Sequence, residues 1–343
     1  MKKRILFVIG LLFVFASLHA QQYDKEKDFK VVRAKDKKSV SITEYKGKNT
    51  FVRIPPVIKK LPVKEVNGFK GKNLIGVIIP EGVSVIGDSA FEDNQISIVY
   101  IPSTITTIGK SAFSNNQLNA LVIPEGVNSI GENAFYRNRI IALILSESVN
   151  SINDSAFEEN QISAFIFGNN INSIGNRAFK DNRLRRLALP DSIVSIGEGA
   201  FQNNLIARLT FGKNINSVGA SAFQNNRLTE VTLSNKVTTI RSALFQDNIL
   251  NEIVIPEGVT AIEAEAFKDN PLTSVSIPNS IQTFNNNIFS GATSLTQITI
   301  GTNVDITGNT YIVNEFQDFY LSRDRRAGTY SFSNGAWSAS TQR

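Results

Sequence analysis

Apolar and polar positions recur along this chain in the same order every twenty-two residues. The plainest marker is phenylalanine, at Phe69, Phe91, Phe113, Phe135, Phe157, Phe179, Phe201, Phe223, Phe245, Phe267 and Phe289. An asparagine stands three residues after the ring, from Asn94 and Asn116 through Asn270, and an aliphatic residue follows two places later, as at Leu118. Alternating pairs come next, Leu121/Ile123, Leu143/Leu145, Leu187/Leu189 and Ile253/Ile255. Alternation at a spacing of two marks a half-buried strand, predicted over roughly Asn119 to Ile123 and closed by Pro124, whose missing N–H is tolerable only where a ladder ends. Val127 and Ile130 turn back toward the core. Asn133 to Phe135 is too short for an α-helix, so a single tight turn is expected there, with Phe135 pointing inward.

The pattern L-x-x-L-x-I at a fixed period in the twenties is the signature of a leucine-rich repeat solenoid. One unit cannot bury its own apolar side, whereas stacked units share a continuous core. The expected fold is a right-handed solenoid of about eleven copies, with a parallel β-sheet on the concave face and short turns or 3-10 segments on the convex side. The recurring asparagine is expected to bond the loop backbone of the adjacent copy, a buried ladder that satisfies amides the short turn cannot. Glycine follows the second apolar position at Gly87, Gly109, Gly131, Gly175, Gly197 and Gly219, with Asn153 in the slot once. That choice predicts a left-handed backbone there, and Arg241 and Glu263 depart from it.

Four segments follow. Residues 1–20 read as a signal peptide, with Lys2, Lys3 and Arg4 ahead of an apolar run too short to span a bilayer. Residues 21–68 read as an N-terminal β-hairpin cap, its strands Asp28 to Arg33 and Ser39 to Tyr45, with a third strand at Thr50 to Ile54. Residues 69–303 are the array. Residues 304–343 form an aromatic C-terminal cap: Asn314 caps a short helix bearing Phe316, Phe319 and Tyr320, and Asn334-Gly335 turns a hairpin between Tyr330/Phe332 and Trp337.

Composition removes most chemistry. The chain has no cysteine, and its one histidine, His19, lies in the leader. Nucleophilic triads and the usual zinc sites therefore lack their residues, and neither an enzyme, a cofactor, a metal nor a nucleic-acid partner is expected. Charge is uneven: residues 21–72 hold fifteen Lys/Arg against six Asp/Glu, while residues 73–343 hold eighteen against twenty-four. The basic end is either a solubilising face or a site of attraction to an anionic surface.

The core I-P-x-x-[VI]-x-x-I-G-x-x-A-F, complete at Ile101 to Phe113 and Ile123 to Phe135, resembles the BspA-type leucine-rich repeats of bacterial cell-surface proteins. The resemblance covers residues 45–303, with Tyr45-Lys46-Gly47 leading to Ile54-Pro55 and Leu61-Pro62-Val63 similar to that family's opening segment. Family repeats usually carry cysteine where this chain has Asn94 and its equivalents, and are commonly one residue longer, a form that the last unit keeps with Ala292 in the slot. The resemblance implies adhesion to host matrix proteins, binding to other bacteria or recognition by host receptors, and brings no catalytic motif.

The strand's outward positions carry the candidate site. They read Ile98/Tyr100, Ala120/Val122, Ala142/Ile144 and Ala164/Ile166, then Arg186/Ala188 and Arg208/Thr210, then Glu230 and Glu252 with Thr232 and Val254. An apolar patch rimmed by charge on a concave sheet marks a protein contact surface. The expected site is Ile98, Tyr100, Val122, Ile144 and Ile166, with Arg186 and Arg208 fixing orientation. The expected partner is a host matrix or receptor protein, a bacterial surface protein, or a second copy of the chain. The expected location is the cell surface or medium, with a periplasmic scaffold and a glycan-binding module as alternatives.

Overall fold

The described coils of the repeat array are built on three sides, each laddered to neighbouring coils over most of its length. The computed structural model describes residues 22–35, 37–306 and 316–340. The leader with His19, and Asn314 as helix cap, lie outside these residues. In the coil around Phe135, a broad strand, Ala120–Ile123, pairs in parallel with Ala142–Leu145 of the next coil, Leu121 opposite Leu143. A narrow strand, Ser129–Ile130, pairs with Thr107–Ile108 on one side and Ser151–Ile152 on the other. The third side is a turn with no strand, yet its amides form a ladder: the N–H groups of Ser111, Phe113 and Asn115 donate to the carbonyls of Glu132, Ala134 and Tyr136 at 2.7–2.9 Å.

The solenoid is thus the expected leucine-rich repeat stack, with a second strand in each coil that the periodicity did not announce. A two-residue strand has no alternation to detect. Its inward residue, such as Ile130, reads as an isolated core position.

Inside the coils the phenylalanines form one uninterrupted column. Rings from Phe69 to Phe289 stack with centroids 4.8–5.9 Å apart and interplanar angles no greater than 24°. Offset stacking at this spacing satisfies the ring quadrupoles and adds about 0.5–1.5 kcal/mol per pair beyond area burial. The column runs one ring further. Tyr45 stacks on Phe69 at 5.4 Å, and its strand, Val40–Tyr45, pairs in parallel with Leu61–Val66. Tyr45 and the eleven phenylalanines therefore mark about twelve turns. Phe29, on the antiparallel strand Phe29–Arg33, covers both Tyr45 and Phe69. The strand Phe51–Arg53 joins not the hairpin but the broad sheet, in parallel with Gly76–Ile78.

The asparagine ladder is present at all nine positions. The Asn116 Oδ1 accepts the Ile96 N–H at 2.9 Å, and its Nδ2 donates to the carbonyls of Phe91, Phe113 and Ser114 at 2.9–3.2 Å. Each side chain so ties its own turn to the preceding coil, and the set recurs through Asn270. Buried amides with all groups bonded fix the coil spacing, because no other residue type offers a donor pair and an acceptor in that reach.

The glycine column requires a correction. None of Gly87, Gly109, Gly131, Gly175, Gly197 and Gly219 has positive φ. Their requirement is close approach: a Cβ on Gly131 would sit 2.6 Å from the backbone of Gly109. The left-handed residues lie two and six positions further on, at Ser111 and Asn115 in one coil and Asn133 and Arg137 in the next. These are the residues whose N–H groups make the turn-side ladder, and the bonds hold a conformation that costs roughly 1–2 kcal/mol per residue. Arg241 and Glu263, neighbours in the same column, pair with each other at 2.8 Å.

At the far end Gly291, with φ +85, makes room for the extra residue, and Ala292 is buried in the asparagine slot. The last broad strand, Gln297–Ile300, then pairs antiparallel with Gly328–Ser333, which turns through Asn334 and Gly335, both left-handed, into Ala336–Ser340. The helix Phe316–Ser322 packs Phe316 against Trp337 and Tyr330.

Candidate functional site: the broad-strand face

The two strand sets differ in continuity. The narrow strands form one sheet from Phe29–Arg33 to Ser217–Val218 and a second from Thr239–Ile240 to Thr283–Phe284. The broad strands fall into four sheets, parted after Ile98–Tyr100, after Ala164–Ile166 and after Arg208–Thr210. At the third gap Thr229 to Thr232 make no strand at all. At the second, Phe165 and Phe167 occupy the columns of Leu121 and Ile123 and lean on Phe179, with centroids 4.9 and 6.5 Å away. Their bulk was legible in the sequence as two rings where aliphatics belong. Its effect on pairing was not.

The outward side chains lie where alternation put them. Ile98 and Val122 are each 38% exposed and Ile166 is 56% exposed, while Tyr100 and Ile144 are half-buried. Val122 and Ile144 are in register, as are Ile144 and Ile166, so these three form one row across a single sheet. Ile98 and Tyr100 belong to the preceding sheet, across a gap in the ladder. The Tyr100 hydroxyl donates to Glu81 at 3.0 Å, and burial together with that carboxylate pushes it up to about 12. It therefore remains a neutral hydroxyl throughout the physiological range. Exposed aliphatics in or beside broad strands also lie outside the expected patch, Ile75 among them. Ile141, 49% exposed, immediately precedes the strand bearing Ile144, and Val254, 66% exposed, lies far along the face beside Glu252.

Charge on this face differs from the cross-coil pairs of the turn side. On the turn side, opposite charges pair across coils: Lys110 with Glu132 at 2.9 Å, Arg137 with Glu159 at 2.8 Å and Arg241 with Glu263 at 2.8 Å. On the broad face Arg186 stands directly opposite Arg208 in the parallel register. Both are exposed, and among the described residues neither they nor Glu230 and Glu252 make an ion pair. Like charges abutting on adjacent strands are unfavourable. Such a row is a cost to the isolated fold that opposite charge on a bound surface would relieve.

The arrangement offers a sheet face of mixed apolar and charged groups. The described residues contain no helix long and apolar enough to cross a membrane.

Comparison with solved structures returns the same architecture. The pneumococcal vaccine antigen PcpA aligns over 86% of this chain and 94% of its own, at 16% identity and a TM-score of 0.57. A leucine-rich cell surface protein of Faecalibacterium prausnitzii A2-165 aligns over 83% and 96%, at 22% identity and a TM-score of 0.44. A leucine-rich repeat protein of Bacteroides ovatus ATCC 8483 aligns over 81% and 94%, at 19% and 0.44. No curated protein matches the chain. The sequence profile of the BspA type leucine rich repeat region, six copies long, matches residues 65–185, 150–271 and 216–337. With most of its length inside those matches, and with coils of the same kind in the structure, the chain belongs to the BspA-type leucine-rich repeat family.

Proposed function

We propose that this is an exported, adhesin-like protein that holds a protein partner against its broad-strand face. The row Val122, Ile144, Ile166 is the contact, Ile98 and Tyr100 extend it, and Arg186 and Arg208 set the partner's orientation. One observation carries the reading: aliphatic side chains stand in solvent at outward strand positions beside two arginines set directly opposite each other, whereas the turn side carries cross-coil pairs of opposite charge such as Arg137 with Glu159. Apolar area rimmed by unsatisfied charge is the composition of a contact surface. The basic, apolar leader of residues 1–20 supports export, and so does membership of a family of surface proteins. The partner is a host matrix or receptor protein, or a protein of a neighbouring bacterium.

The test compares the protein with its Ile144→Asp/Ile166→Asp variant, both checked for an unchanged melting transition. Immobilised host-matrix proteins and intact bacteria serve as targets, and light scattering follows self-association. Loss of target binding in the variant supports the reading. Loss of self-association alone would make the partner a second copy, and unchanged behaviour in every assay would remove the patch from function. Protease treatment of intact cells separates a surface protein, which is cleaved, from a periplasmic scaffold, which is shielded.

A further inference from the structure

The N-terminal end of the solenoid carries an open cavity that reaches the broad sheet only at Arg53, on its first strand. Residues 22–28, the loop 46–49 and Arg53 surround about 560 Å3, within the range of about 300–1,000 Å3 found for small-ligand clefts. Five cations line it, Lys25, Lys27, Lys46, Lys48 and Arg53, against the two carboxylates of Asp24 and Asp28. Asp24 is already engaged: its carboxylate accepts the Arg53 amide at 2.6 Å and the Asn49 side-chain amide. Lys46 reaches Glu44 only at 4.0 Å. Among the described residues Lys25, Lys27 and Lys48 have no ion pair. Lys25, Lys27 and Lys48, brought together around a concavity, raise the local potential and attract anions.

The cavity is also held in shape. Gly47 lies against the Tyr45 ring, so that a Cβ there would fall 2.3–2.6 Å from its atoms. The Tyr45 hydroxyl donates to the Asn49 carbonyl at 3.2 Å, and the Lys46 N–H donates to the Asp28 carbonyl at 2.7 Å. Tyr45 is the first ring of the core column, so the lysine-bearing loop is anchored to that column. Tyr23, 49% exposed, supplies an aromatic wall.

We infer that this pocket binds an acidic saccharide, a glycan segment carrying sulfate or uronate groups. The lysines match its anionic substituents, the Tyr23 ring offers a face for a pyranose, and the Asn49 and Gln22 amides suit hydroxyls. A phospholipid surface shares the anionic chemistry but is flat, and would meet the rim of a concavity instead of filling it. None of Val122, Ile144 and Ile166 lines the pocket, so variants at those positions leave it untouched.

Calorimetric titration of the purified protein with a heparin-derived tetrasaccharide tests it, with an uncharged dextran oligosaccharide and phosphatidylserine vesicles as the other arms. Two triple variants remove equal charge. Lys25→Ser/Lys27→Ser/Lys48→Ser empties the pocket, and Lys35→Ser/Lys60→Ser/Lys72→Ser strips the outer surface of the same end. The expected result is salt-sensitive tetrasaccharide binding that the pocket variant weakens at least about tenfold and the surface variant less than about twofold. Tyr23→Ser should weaken it several-fold without changing its salt dependence. Equal losses in the two triple variants would reduce the effect to net charge. Tighter binding to vesicles than to the tetrasaccharide would assign the end to a membrane, and no tetrasaccharide binding would overturn the inference.

Discussion

The two strand faces of this solenoid are built by the same coils from the same period, yet they have diverged. Along the narrow face the outward residues are nearly constant, Ser129, Ser151, Ser173, Ser195 and Ser217 flanked by Thr107 and Thr239. Small hydroxylated side chains over glycine let neighbouring coils approach closely, and the ladder runs with one interruption. Along the broad face the outward residues are mainly aliphatic for four coils, then turn to arginine for two, glutamate for two and serine for one, and the sheet is cut into four. A face whose only task is stacking can use one residue throughout. A face that changes its chemistry over a few coils, at some loss of pairing, is the one we propose for recognition.

That contrast can be attacked from its foundation upward. Phe179→Ala removes a ring from the column that both faces lean on, and should cost about 3–5 kcal/mol in urea denaturation. Asn182→Leu breaks the bonds of one asparagine to its own and the preceding coil, and should cost about 1–3 kcal/mol. On the narrow face Gly197→Ala places a methyl 2.5–2.6 Å from the backbone of Gly175 and Asn176, for about 1–3 kcal/mol of overpacking. On the broad face Ile166→Asp should alter stability by less than about 0.5 kcal/mol, since the side chain stands in solvent. Its effect belongs to binding.

At Glu263 a small effect is expected that depends on pH. Burial pushes its carboxyl up, but bonds from the Ser242 amide and hydroxyl and from Arg241 outweigh this and hold it below the usual carboxylate range. A depressed folded-state pKa stabilises above the unfolded value of about 4.3, and the contribution is lost as pH falls through the folded value. The stability gap between the protein and Glu263→Gln should therefore be present at neutral pH, under about 1 kcal/mol, and close on acidification. A gap independent of pH would show that the bonds, not the charge, matter there.

What the sequence disclosed follows from what repeats. Phe135 and Asn138 could be placed because eleven rings and nine amides at one spacing leave a single way to stack. Tyr45 and Phe29 continue that core but break the period, since the first coil must also close the end, and so they read as a separate hairpin. The glycine column was visible and its cause was not: a rule of small side chains looks the same whether it serves backbone conformation or close approach. The left-handed residues hid for the opposite reason, being filled by serine, asparagine and arginine whose strain the inter-coil bonds absorb. Outward positions such as Val122 and Ile166 came directly from alternation. The gap that separates Tyr100 from them depends on coil-to-coil fit, which no single unit encodes.

The claim that recognition belongs to the broad face is tested most directly by a matched pair of variants. Val122→Asp/Ile166→Asp places two carboxylates on that face, and Thr107→Asp/Ser217→Asp places two on the narrow one, all four sites being exposed. With melting temperatures equal, binding to the protein partner should be abolished by the first pair and retained by the second. Binding lost through the narrow-face pair, or retained through both, would contradict the division of labour argued for the two faces.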